Sequence, residues 1–63
     1  MPERAYETMK ARAIGIIERA ESDLGGLSAG QRRDLLADNT EWSFELIRRI
    51  VADLPATTLP NTL

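Results

Sequence analysis

The chain has no cysteine and no histidine, so disulfide bridges and the commonest metal and acid–base chemistry are closed to it. Aromatic residues are scarce, with one each of Trp, Tyr and Phe, and no apolar run approaches the ~20 residues of a membrane-spanning helix. The N-terminus Met1-Pro2-Glu3-Arg4 carries no signal-peptide core, which points to a cytoplasmic protein. Charge of one sign is also lacking. Eight Lys and Arg against ten Asp and Glu give a net charge of −2, which argues against broad, phosphate-driven binding of duplex DNA or RNA.

With 63 residues there is room for one domain at most. At that size the apolar area a chain buries, at about 25 cal/mol/Å², roughly balances the entropy of ordering it. Small domains close that gap with disulfides, a metal or partner subunits. Only the last is open here, so the residues predict a homo-oligomer, with a well-idealised monomeric bundle as the competing reading.

What is present is helical periodicity. Tyr6, Met9, Ala13, Ile16, Ile17, Ala20 and Leu24 recur at three- and four-residue steps and predict one apolar stripe on a helix over residues 2–24. Pro2 suits the first turn, where its missing N–H costs nothing, and Glu3 complements the positive end of the helix dipole. Gly15 sits on the opposite face, either as a tolerated surface glycine or as a point of close approach by a helix of another subunit.

Gly25 is placed to end this helix in the left-handed conformation. Ser28, with Gln31 three residues on, reads as a capping box that starts the next. From Ser28 to Leu54 there is no proline and no glycine after Gly30, so the segment reads either as one long helix or as two. A break near residues 38–40 is signalled by Asp38 with Glu41 as an internal capping box and by the poor helix formers Asn39 and Thr40. As one helix, its stripe is polar at Arg32, Asn39, Thr40 and Ser43, which must then meet solvent, each other or a ligand. Glu45 with Arg48 and Arg49 reads as helix-stabilising pairs. Leu54-Pro55 ends the helix. The predicted architecture is an all-α helical hairpin over residues 1–54, with residues 55–63 as an extended or frayed tail whose Leu59 and Leu63 could clip onto a neighbour.

No cluster of residues suggests catalysis, and an enzyme is not expected. Three non-enzymatic readings stay open. Residues 28–38 and 40–54 have the lengths of a helix-turn-helix pair, but the would-be recognition helix opens Glu41-Trp42-Ser43-Phe44-Glu45, with acid and aromatics where donors to base edges belong. An amphipathic hairpin also suits an adaptor or inhibitor that docks helix-in-groove on a protein. Third, aromatic rings beside basic and hydroxylic groups suit a nucleotide-like ligand, since rings stack on bases at about 1–3 kcal/mol each and Arg or Lys take phosphate oxygens. The candidate ligand-binding residues are Tyr6 and Trp42 for stacking, Lys10, Arg33 and Arg48 for phosphates, and Asn39 and Thr40 for hydrogen bonds.

The order of residues resembles the helical-hairpin sponges that phages use against the CBASS defence system, proteins that sequester cyclic oligonucleotide signals. The likeness lies in Met9-Lys10-Ala11, Glu18, Ser22, Gln31-Arg32-Arg33, Thr40-Glu41-Trp42, Leu46-Ile47, Ile50 and Ala52, across roughly residues 5–55. The resemblance implies a compact homo-oligomer, hexameric in the family, with pockets between subunits that capture cyclic di- or trinucleotides without turnover or cofactor in the cytoplasm of the infected bacterial host. It implies that Tyr6 and Lys10 serve one pocket and Arg33 with Thr40 another. The chain departs from the family's pattern at Asn39, which stands where a basic residue is expected.

Overall fold

A computed structural model describes residues 2–55, all of whose regular elements are helices: α1 (Glu3–Leu24), α2 (Ala29–Asn39) and α3 (Phe44–Asp53). The all-α expectation holds, with three helices in place of two long ones. None of them is long and apolar enough to cross a membrane. The tail beyond Pro55, including Leu59 and Leu63, lies outside the described residues.

α1 begins after Pro2, whose extended ψ of 142° makes it the cap and whose carbonyl accepts from the Tyr6 N–H at 3.1 Å. It ends at Gly25, where φ is +88° and ψ is −175°. The positive φ agrees with the sequence, but the extended ψ differs from the left-handed helical geometry expected. That region is reached essentially by glycine alone, and another residue held there costs about 1–3 kcal/mol. Two hydrogen bonds then form the capping box that the sequence specified: Gln31 N–H donates to Ser28 Oγ at 3.1 Å, and Ser28 N–H donates to Gln31 Oε1 at 2.8 Å.

The second half of the chain breaks at residues 40–43, and the cap is not the one expected. Asp38 and Glu41 do not form it. Ser43 caps α3 by accepting from the Leu46 N–H, while Thr40 takes an extended conformation at the end of α2. A serine followed directly by the apolar-periodic Phe44, Leu46 and Ile47 is the better start signal, because it leaves Trp42 free to turn inward before the helix begins. α3 ends at Asp53, with Leu54 extended before Pro55.

The core joins all three helices. Tyr6, Ala13 and Ile17 come from α1, Leu36 from α2, and Ile47, Ile50 and Val51 from α3, with Met9, Ile16, Leu35, Trp42, Leu46 and Leu54 packed around them. Leu36, Ile47 and Ile50 are fully buried, each contributing about 1.5–3 kcal/mol. The predicted stripe of α1 therefore faces inward over most of its length. Leu24 is the exception, at 76% exposed. Polar groups hold the end of α1 to α2.

Those polar groups are Glu21 and Arg32. Arg32, only 8% exposed, donates from Nη2 and Nε to Glu21 Oε2 at 3.1 and 3.4 Å and from Nη1 to the Pro55 carbonyl at 2.9 Å. Glu21 Oε2 also accepts from the Leu27 N–H at 2.9 Å. One ion pair thus fixes the end of α1, the connecting turn, the start of α2 and Pro55, two residues beyond α3.

Candidate functional site

Between the start of α2 and the outer face of α3 lies an open depression lined by Ala29, Arg33, Glu45, Arg48, Arg49, Val51 and Ala52. Three guanidinium-bearing residues share it with one carboxylate. Arg33 projects from the first turns of α2, its Nη2 lying over Gly30, where an added Cβ would sit 3.7 Å away. Arg48 and Arg49 come from consecutive positions on α3. Arg48 stands 5.9 Å from the centre of the Phe44 ring, one turn back along the helix, and that ring is 59% exposed. Arg49 lies over Tyr6, its guanidinium carbon 3.8 Å from the ring centre.

The expected pairing of Glu45 with Arg48 and Arg49 is absent. Among the described residues no ion pair engages these arginines or Arg33; the pair formed is that of Arg32 with Glu21. The depression also opens beside Ala29, the first residue of α2, and that helix has no acidic residue in its first turn to neutralise the positive end of its dipole. The local field is positive on a chain that is acidic overall.

Beneath Arg49, Tyr6 is 3% exposed, and its hydroxyl donates to Asp53 Oδ2, with the Arg49 carbonyl at 3.5 Å. Burial raises the Tyr6 pKa above 10.0, and the hydrogen bond and negative charge of Asp53 raise it further, outweighing the lowering by Arg49. The phenol stays neutral and ties the first turn of α1 to the last turn of α3. Its ring is covered by Arg49 and presents no face for a base.

The seven candidate residues therefore separate. Arg33 and Arg48 meet in the depression, with Tyr6 behind its wall. Thr40 and Trp42 belong to the joint between α2 and α3: Thr40 Oγ1 donates to the Leu36 carbonyl at 2.7 Å and accepts from the Trp42 N–H at 3.3 Å. The half-buried Trp42 packs against the core with Arg12 5.9 Å from its ring centre. Asn39 Nδ2 donates to the Leu35 carbonyl at 2.8 Å and borders a second groove, between α1 and α2. Lys10 sits half-buried on α1 and lines neither concavity.

Arg49 is the member of the depression that sequence reasoning passed over. Its adjacency to Arg48 and its four-residue spacing from Glu45 made it look like a surface ion pair; what sets it apart is its contact with the ring of Tyr6, 43 residues away in the chain. The described residues include no group of carboxylates, cysteines or histidines arranged to hold a metal ion.

Comparison with known proteins returns no matching family model, no matching curated protein and no matching solved structure.

Proposed function

We propose that this chain is a non-catalytic binder that assembles as a homo-oligomer and captures a phosphate-bearing nucleotide ligand, of the cyclic di- or trinucleotide class to which the resemblance points. The observation that carries the reading is the gathering of Arg33, Arg48 and Arg49 around one concavity, without ion-pair partners among the described residues. Guanidinium groups give paired, charge-assisted hydrogen bonds to phosphate oxygens, and a helix N-terminus beside them adds to the attraction. The exposed Phe44 ring next to Arg48 supplies a stacking face in the place first given to Tyr6. Thr40 and Trp42 then act by holding α3 in position against α2.

Thermal melting with a panel of cyclic oligonucleotides tests this. The expected result is a saturable rise in melting temperature with at least one ligand, lost in Arg33→Glu/Arg48→Glu while the ligand-free melt stays close to that of the parent. No rise with any cyclic oligonucleotide would refute the ligand class. Binding of duplex DNA that collapses as salt increases would instead favour α2 and α3 as a helix-turn-helix pair, whose four-residue link has the appropriate length.

A further inference from the structure

We propose that the groove between α1 and α2 is closed by a second copy of this chain, whose α1 lies antiparallel against it about a two-fold axis passing beside residues 19 and 20. This specifies the seam of the self-association in the functional reading above and does not depend on the ligand.

The groove is lined by Gly15, Ile16, Arg19, Ala20, Asp23 and Leu24 of α1, with Leu35 and Asn39 of α2. The α1 members repeat at one- and four-residue steps, which places them on a single helix face. That face holds both a projection and a recess. Leu24 projects at 76% exposed, although the sequence around it predicts burial. Gly15 is the recess, since a Cβ built there meets no atom within 4 Å.

About the stated axis, Gly15 faces the partner's Leu24 and Leu24 faces the partner's Gly15. The projection fills the recess twice over, as an isologous contact demands. The charges follow the same symmetry. Arg19 lies about one turn from the partner's Asp23, within reach of its long side chain, and the reciprocal pair forms with it. Within a single chain neither Arg19 nor Asp23 has an ion-pair partner among the described residues, although they stand four apart. With arginine on the N-terminal side, that spacing is the weaker orientation for a pair along one helix. A partner of unrelated chemistry has no reason to match bulge to hollow and cation to anion on the same short face, whereas a second copy does so by symmetry.

Light scattering and analytical ultracentrifugation on the full chain at micromolar concentration provide the test. The parent is expected at twice the chain mass or a multiple of it. Gly15→Leu fills the recess from open space, so it should keep the helical signal and melt cooperatively while dropping to a smaller species. Arg19→Asp should weaken assembly at least tenfold, and Arg19→Asp/Asp23→Arg, which restores the match across the axis, should recover most of it. A monomeric parent, a Gly15→Leu variant of unchanged mass, or a double variant no better than the single would each overturn the proposal. Loss of cyclic-nucleotide binding with assembly intact would count against the ligand reading alone.

Discussion

The two joints of this chain solve the same problem with different chemistry. At the first, Gly25 supplies a backbone conformation that other residues avoid, Ser28 and Gln31 cap reciprocally, and the Glu21–Arg32 pair reaches across from α1 to α2. The second has no glycine, no proline and no ion pair. Hydroxyl groups hold it, with Thr40 Oγ1 bonded to the Leu36 carbonyl and the Trp42 N–H, and Ser43 bonded to Leu46. The first is held by charge and backbone constraint, so its failure should be abrupt. The second is held by neutral hydrogen bonds of about 1 kcal/mol each and by the Trp42 ring against the core, so its failure should be gradual.

Removing the charge at the first joint is the strongest way to expose that difference. Glu21→Ala takes the carboxylate from the buried Arg32 guanidinium and from the Leu27 N–H together. Truncating one member of a buried ion pair costs about 3–5 kcal/mol, a large share of what a domain this size possesses. Urea denaturation should show most of the native baseline lost. A variant within about 1 kcal/mol of the parent would mean that the ion pair does not hold the joint.

At the second joint, Ser43→Ala and Thr40→Val should each cost about 1 kcal/mol, the former by leaving the Leu46 N–H uncapped and the latter by taking the hydroxyl from the Trp42 N–H and from the Leu36 carbonyl, which keeps its bond from the Thr40 N–H. Both are expected to fold, with the tryptophan emission of the Thr40 variant shifted toward that of a more hydrated ring. A loss as large as that of Glu21→Ala from either would erase the distinction between the joints.

The difference in chemistry also explains what could be read in advance. Glycine followed by a capping box has few alternative meanings, so the stop at Gly25 and the cap at Ser28 and Gln31 were legible, though not the ψ of Gly25. Asn39, Thr40 and Ser43 are poor helix formers that serve equally as caps, turn residues or ligand contacts, and choosing among these requires knowing which backbone groups are left unpaired. The break therefore stood as one of two open readings, with Asp38 as its cap where the structure has Ser43. In the candidate site, Arg33 and Arg48 were identifiable by residue type. Arg49, Asp53 and Glu21 were not, because each acts on a partner distant in the chain: Tyr6 for the first two and Arg32 for the third. Tyr6 combined both difficulties, since its position on the apolar stripe and its ring chemistry pointed in different directions and burial decided between them.

Tyr6 ties the first turn of α1 directly to the last turn of α3, and its contribution is present at neutral pH and lost in alkali. Because the folded-state pKa is raised above the unfolded value of about 10, the unfolded chain releases its phenolic proton first as pH rises. The stabilisation is thus complete below pH ~10 and declines above it, until the folded phenol also titrates. Tyr6 is the sole tyrosine, so phenolate absorbance reports it without interference. Its titration in the native protein should lie above that in urea, and Tyr6→Phe should abolish the alkaline loss while weakening the fold by about 1–3 kcal/mol at neutral pH through the missing bond to Asp53. Titration at the unfolded value in the native protein would mean that the phenol is hydrated, that α1 and α3 separate at this end, and that the wall of the arginine depression is open.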